Sequence, residues 1–349
     1  MRNADYVCEQ EARLTLKATD LITPRDGGLW CELGRFHIDP GHAVEKAIVT
    51  HAHADHCRPG HHALLASPET AAIASVRYGE SAFNRVEVLD YRQPLRIGDV
   101  TVTLVPAGHV LGSAQVVVEA HGVRAIVSGD YKRRADPTCL PFELVPCDLF
   151  VTEATFGLPV FTHPPVESEV AKLLASVARN PQRTHAVGAY ALGKAQRLIA
   201  ELRSAGWDRP IWLHGALMKL CETYQELGIN LGPIENATVA RKDDMRGQIV
   251  LAPPGAMNDR WARRLPDMLP VAASGWMRVR QRAKQRGAEL ALVISDHCDW
   301  PELCQTITEV EAAEIWVTHG TEDALIHWCQ NEGLKARALR LVGRSEEEQ

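Results

Sequence analysis

The sequence predicts a mixed α/β fold whose strands deliver polar side chains to one place, and three observations predict it. Apolar runs at 47–49, 123–127 and 315–317 and an alternating, strand-like stretch at 100–105 are each followed within four residues by a histidine or aspartate. Val170, Leu173, Leu174 and Val177, and then Ala195, Leu198, Ile199 and Leu202, recur at helical spacing and lay apolar stripes along helices over 167–179 and 193–204. Pro159, Pro164 and Pro165 punctuate the chain just before the first of these helices.

Up to about Asp130 the chain reads as short strands separated by turns, and beyond it as mixed helix and strand. Further helices are expected over 261–265, 278–286 and 301–311, and 290–294 reads as a strand returning to the main body. The main domain would then be built from 1–160 and 291–349, with an inserted domain over 161–290.

The chemistry concentrates in Thr50-His51-Ala52-His53-Ala54-Asp55-His56. Two imidazoles at alternate positions of an extended segment point to one side, and the Asp-His pair that follows can turn to serve a second ion. Ala52 and Ala54 are small spacers that leave room around the ligands. The spacing suggests a two-metal cradle. His109 lies between glycines in Gly108-His109-Val110-Leu111-Gly112, Asp130 follows Ser128-Gly129, and His319 sits in Thr318-His319-Gly320. Each is a polar residue at a strand's end, and a carboxylate at 130 could bridge two cations.

With these motifs quoted, the chain resembles the metallo-β-lactamase-fold hydrolases, and within them the β-CASP nucleases. The resemblance covers most of the chain and implies an αββα four-layer sandwich with an inserted β-CASP α/β domain. It implies His51, His53 and His109 as ligands of one zinc, Asp55, His56 and His319 as ligands of the other, and Asp130 shared between them. Asp39, in Ile38-Asp39-Pro40-Gly41, matches the family aspartate that supports the metal loop from behind its ligands.

Three further matches point to the β-CASP branch. Thr152-Glu153-Ala154-Thr155-Phe156-Gly157 resembles its first motif, Ser295-Asp296-His297-Cys298-Asp299-Trp300 its second and Val317-Thr318-His319-Gly320 its third. Gly188-Ala189-Tyr190-Ala191-Leu192-Gly193-Lys194-Ala195-Gln196 is similar to the segment that opens a helix in the family's cassette. By resemblance Asp55, Glu153 and His297 are the catalytic set, with His297 as general acid and Glu153 orienting its ring.

The whole-chain numbers restrict the partners. Of 349 residues, 46% are hydrophobic, ordinary for a globular enzyme, and a net charge of −6 argues against coating nucleic acid nonspecifically. Local basic groups remain. Lys132, Arg133 and Arg134 come just after Asp130 and could contact phosphate, 278–286 reads as a solvated basic helix face, and Ser274-Gly275-Trp276 offers an indole for base stacking. Gly193-Lys194 could also meet a phosphate at a helix start. Nine cysteines without a Cys-x-x-Cys pair indicate neither a disulfide framework nor a cysteine zinc knuckle, and Cys57 and Cys298 read as small buried thiols. The charged stretch 1–11 is no signal peptide, so a cytoplasmic location is expected.

The chain most resembles the bacterial ligase-associated DNA exonucleases, through Gly129-Asp130-Tyr131-Lys132-Arg133 and its compact length. That resemblance implies two divalent ions, zinc first with manganese or iron as alternatives. It implies DNA with 5′-phosphorylated ends as substrate, and an ATP-dependent DNA ligase and a repair helicase as partners. An RNA-processing endonuclease of the same family would use the same metals. A thioester or lactone hydrolase would share the metal ligands but would not need Glu153, His297 or the inserted domain.

Overall fold

The structure is a computed structural model that describes residues 16–25 and 27–339; the charged stretch 1–11 and Glu346-Glu347-Glu348 lie outside the described residues. It is a mixed α/β chain with three sheets, and it divides into two units. One holds the described residues up to Ala135, Leu140–Leu158 and the described residues from Trp300 on; the other holds Asp136–Cys139 and Pro159–Asp299.

The first unit begins with helix α1 (Ala18–Leu21) and a sheet of six strands in chain order: β1 (Thr23–Arg25), β2 (Gly28–Cys31), β3 (Phe36–Ile38), β4 (Lys46–Ile48), β5 (Ala63–Ala66) and β6 (Arg85–Val88). Between β5 and β6 runs α2 (Pro68–Tyr78), which Ser67 caps by accepting from Thr70 N at 3.2 Å, with Pro68 in the first turn. Ala74 of α2 packs with Ala47, Val49, Leu64 and Phe83 on one face of this sheet.

The second sheet starts with β7 (Leu95–Ile97), β8 (Val100–Pro106), β9 (Ala114–Ala120), β10 (Val123–Val127) and β11 (Leu149–Ala154). Neighbours are antiparallel from β7 to β10, and β11 joins β10 parallel with Ile126 opposite Phe150. Leu29, Phe36, Ile38 and Ile48 from the first sheet share one buried core with Val102, Leu104, Val116, Val118, Val127 and Val151 from the second. Burying that apolar surface, at about 25 cal/mol per Å² removed from water, is what holds two sheets face to face.

The second unit is built on a third sheet, entirely parallel. Its elements are α3 (Val166–Arg179), β12 (Thr184–Gly188), α4 (Lys194–Ser204), β13 (Ile211–Leu213), α5 (Gly215–Glu226), β14 (Ile234–Asn236), β15 (Ile249–Ala252), β16 (Met268–Ala273), α6 (Arg280–Gln285) and β17 (Leu290–Leu292). The order is β14-β13-β15-β12-β16-β17, and every residue of β12 and β15 is buried, as central parallel strands require. The chain then returns to the first unit with α7 (Trp300–Glu309), β18 (Glu314–Gly320), α8 (Glu322–Asn331) and β19 (Ala336–Ala338), and β18 enters the second sheet between β11 and β19.

Several sequence expectations need correction. The strand expected to return at 290–294 is β17, which pairs with β16 inside the third sheet. Its hydrophobic run does not say which sheet it joins. The expected helix at 261–265 is a 3₁₀ turn, Arg260–Arg264, and that at 278–286 splits into a 3₁₀ turn, Gly275–Arg278, and the short α6. The helix at 301–311 starts at Trp300 and stops at Glu309. Helices α1, α2, α5 and α8 were not foreseen, although Leu217, Leu220, Cys221 and Tyr224 in α5 form a buried stripe at helical spacing. The eight cysteines among the described residues are free thiols. Among those residues no helix is long and apolar enough to cross a membrane.

Candidate metal centre

The loop after β4 leaves the first sheet at Thr50, whose carbonyl accepts from Ala114 N at the start of β9 (2.8 Å). It then turns instead of running extended: His56 N and Cys57 N both donate to the His53 carbonyl, at 3.2 and 2.7 Å. This turn does what strand alternation was expected to do. His51 Nε2 comes within 3.0 Å of His53 Nδ1, and His109 Nε2 approaches the same atom at 3.1 Å.

Two adjoining groups result, all within the first unit. His51, His53, His109 and Asp130 can each turn one ligand atom to a common point, and so can Asp55, His56 and His319. Asp130 faces both. Its Oδ2 lies 3.4 Å from His51 Nε2 and 3.6 Å from His109 Nε2, while its Oδ1 lies 3.5 Å from His56 Nε2. One carboxylate thus offers an oxygen to each group, the arrangement a bridging ligand needs.

The outer nitrogens are already engaged. Asp39 Oδ2 lies 2.7 Å from His56 Nδ1 and accepts from Thr50 Oγ1 at 2.6 Å, and Thr50 Oγ1 is 3.1 Å from His51 Nδ1. Asp39 Oδ1 accepts from Thr50 N at 2.7 Å. This network favours Nδ1–H on both rings and turns the Nε2 lone pairs inward. His56 Nε2 is buried with no hydrogen-bond partner. A buried acceptor left so is costly, and a cation between the two groups would satisfy it. The donor set fits a divalent ion on this ground.

The electrostatics agree. Burial opposes a charge on His56, but the carboxylates of Asp130, Asp55 and Asp39 outweigh it and raise the ring's pKa well above its ordinary value. Burial likewise works against an ionised Asp55, yet His56 leads the neighbouring charges that pull its pKa down to about 2. The pocket's field is negative enough to attract positive charge of either kind, proton or metal.

His319 reaches the second group through a backbone irregularity. Along β11 and β18, Glu153 pairs with Thr318 but Ala154 pairs with Gly320, so His319 is the extra residue of a β-bulge, with φ of 57°. The bulge stacks its ring on His56 with centroids 5.0 Å apart. Gly320 makes the bulge possible, because a Cβ there would sit 2.1 Å from the Ala154 carbonyl oxygen. Gly129 serves similarly beside Asp130: a Cβ would lie 2.6 Å from Thr50 Oγ1 and displace the hydroxyl that orders Asp39.

Comparison with known proteins follows this geometry. No family model matches the chain. It is 28% identical over 320 residues to the "Probable DNA ligase" of Opitutus terrae, covering 89% of this chain and 30% of that protein. It is 25% identical over 299 residues to "Endoribonuclease ysh1" of Schizosaccharomyces pombe, covering 69% of this chain and 39% of that one. With "Endoribonuclease YSH1" of Kluyveromyces lactis the identity is 33% over 165 residues, 43% of this chain and 21% of the relative. Ysh1 is a β-CASP protein of the metallo-β-lactamase group. The chain is thus similar to β-CASP proteins over much of its length. It spans well under half the length of these curated relatives. A solved structure of a protein of unknown function from Enterococcus faecalis shares the fold, with a TM-score of 0.58 at 13% identity over 87% of this chain and 80% of that one.

The remaining residues singled out by the β-CASP motifs fall as follows. Glu153 is buried at the end of β11, where Oε1 accepts from Tyr131 N at 2.8 Å and Oε2 from Thr155 Oγ1 at 2.5 Å. It therefore fixes the backbone next to Asp130. His297 lies in the second unit, in a turn where its N–H donates to Ser295 Oγ at 3.0 Å.

The expected substrate contacts have partners within the chain. Lys132 is buried, while Arg133 pairs with Glu309 at 2.6 Å and Arg134 with Glu302 at 2.8 Å on a partly exposed face of the first unit. Ser274 is buried and its hydroxyl accepts from Trp276 N at 3.4 Å. The Trp276 ring meets Phe161 edge-on, and the Arg282 guanidinium covers it at 4.1 Å, leaving less of the indole to stack on a base.

Sequence reasoning missed Thr50, Arg77 and Tyr78. Thr50 ties Asp39 to both His51 and His56, while at the end of α2 Arg77 donates to the Ala52 carbonyl and Tyr78 Oη to that of Cys57 at 2.7 Å. The position of Thr50 directly before the histidines was its one signal. Nothing in the spacing pointed to α2.

Proposed function

We propose that this chain is a two-metal phosphodiesterase that removes nucleotides from DNA bearing 5′-phosphorylated ends, in DNA repair. The observation that carries the reading is Asp130, one oxygen toward His51 and His109 and the other toward His56. Two sites sharing one carboxylate suit a reaction in which a phosphate must be held and a water activated. The first-unit sheets with their flanking helices support the αββα sandwich of the metallo-β-lactamase fold, and the second unit is the proposed β-CASP insertion.

His51, His53, His109 and Asp130 would hold one ion, and Asp55, His56, His319 and Asp130 the other; zinc suits this imidazole-rich set, and manganese or iron would fit its carboxylates. When bound, the pair supplies a lowered pKa for water and positive charge against the phosphate oxygens. Asp39 and Thr50 keep the imidazoles in the tautomer that leaves Nε2 free to bind. Glu153 holds the backbone that carries Asp130. His297 is the proposed donor of a proton to the departing 3′-oxygen, with Asp55 and Glu153 completing the catalytic set.

DNA is favoured by the alignment with a protein named a DNA ligase, which extends over 89% of this chain and also supports a partnership with a DNA ligase. The endoribonuclease names favour a second reading, RNA cleavage within the strand. One experiment separates them: purified protein, with zinc or manganese, is given end-labelled DNA and RNA as single strands, duplexes and circles, with Asp130→Ala as control. Stepwise shortening of linear DNA and no cut in circles is the expected result. Cutting of circular RNA would establish the second reading, and no cleavage of any substrate would end both.

A further inference from the structure

Lys194 and Arg197, one helical turn apart at the start of α4, are buried among acids inside the second unit. They are only 4% and 3% exposed, and Asp296 5%. Lys194 Nζ lies 2.8 Å from Asp296 Oδ2, and Arg197 Nη1 lies 3.4 Å from Asp296 Oδ1 while also donating to the Ser295 carbonyl. Arg197 Nε is 3.4 Å from Asp136 Oδ2 and 3.6 Å from Glu201 Oε1.

Such a set is poorly explained by stability. Burying each ion costs several kcal/mol of hydration, and apolar residues of the same volume commonly hold a fold as well. What the charges do provide is fixed geometry at one turn. Two cations grip 295 and 296, Ser295 Oγ accepts from His297 N at 3.0 Å and donates to its carbonyl at 3.1 Å, and Asp299 Oδ2 accepts from His163 N at 2.7 Å. The backbone is pinned on both sides of His297. At the Gly193-Lys194 helix start, where a phosphate was expected, Gly193 N already donates to Gln196 Oε1 at 2.8 Å and the Lys194 ammonium pairs with Asp296.

We propose that Lys194 and Arg197 are positioning residues that lock the 295–299 turn and hold the His297 ring in place for proton delivery to the leaving group. The proposal rests on the phosphodiesterase reading above. In that step the water oxygen bonds to phosphorus, the bond from phosphorus to the 3′-oxygen breaks, and one proton passes from His297 to that oxygen. The water's own proton goes to solvent. A misplaced donor slows only reactions whose leaving group needs the proton.

The test uses two DNA substrates, one ordinary and one with sulfur in place of the scissile 3′-oxygen, whose thiolate departs without protonation. Turnover is measured for the wild type, Lys194→Met, Lys194→Arg, His297→Ala and the Lys194→Met/His297→Ala pair. Lys194→Met is expected to slow the ordinary substrate about 10- to 100-fold, to cut the sulfur substrate at nearly the wild-type rate, and to add nothing to His297→Ala. Lys194→Arg should recover most of the loss. If Lys194→Met fails to fold, Asp296→Asn, which keeps the side chain's shape, decides on the same substrates. Equal slowing of both substrates, full multiplication with His297→Ala, or no slowing at all would overturn the proposal. A wild type that cuts neither substrate instead refutes the phosphodiesterase reading itself.

Discussion

The metal centre of the first unit and the charge cluster of the second both bury several ionisable groups, yet they are finished differently. In the second unit Lys194 and Arg197 meet Asp136, Asp296 and Glu201 at 2.8 to 3.6 Å, so cations and anions complete one another. In the first, five imidazoles and two carboxylates converge with no lysine or arginine among them. None of those seven groups brings a permanent positive charge. The contrast teaches how to tell a built-in brace from a binding site: the brace supplies its own counter-charge, and the site waits for one.

Removing the shared carboxylate breaks this comparison most severely. Asp130→Ala should reduce cleavage to background and lower the metal content measured by elemental analysis, because the oxygen that serves each group is lost together with the link between them. Asp39→Ala tests the tier behind the ligands. It should weaken metal affinity by about 10- to 100-fold, read by chelator competition, since His56 loses the acceptor that sets its tautomer.

A third outcome sharpens the contrast from the other side. Arg133→Ala should cost no more than about 1 kcal/mol in urea unfolding and leave the salt dependence of DNA binding unchanged, because its guanidinium pairs with Glu309 on a partly exposed surface. A shallower salt slope would return Arg133 to the substrate.

The smallest effect concerns pH and a histidine outside the centre. His61 is buried, and burial first, then His42 and His37, push its pKa down to about 4. The folded state therefore prefers the neutral ring, while the unfolded chain takes up a proton near pH 6.5. Its share of stability is complete above that pH and is lost as pH falls toward 4. Urea midpoints between pH 7 and 4 should fall less steeply in His61→Gln than in the wild type; identical slopes would remove His61 from the acid response.

How much of this is legible in the sequence depends on the distance over which the information acts. The convergence of 51–56 with His109, Asp130 and His319 can be read because each follows an apolar run, and strand ends are where a sheet presents side chains. The fate of Arg133 and Arg134 cannot, since Glu309 and Glu302 lie more than 160 positions away and exert no local signature. The bulge at His319 is visible only as a glycine following a histidine, a pairing with many other causes. Helix α2 hides for a different reason: Ala71, Ala72 and Ala74 favour a helix but give no bulky stripe to count. Strand β17 shows that hydrophobicity announces a strand without naming its neighbours.

The placement of β18 has a consequence for the order in which the molecule comes into being. A ribosome reaches His319 only after it has made all of Pro159–Asp299, whereas His51, His53, His109 and Asp130 emerge long before. A nascent chain stalled anywhere in that interval has one group of donors and lacks a member of the other. The donor set becomes complete only late in translation, once β18 is available to pair with β11, so a half-made polypeptide still tethered to its messenger RNA lacks one of the seven groups.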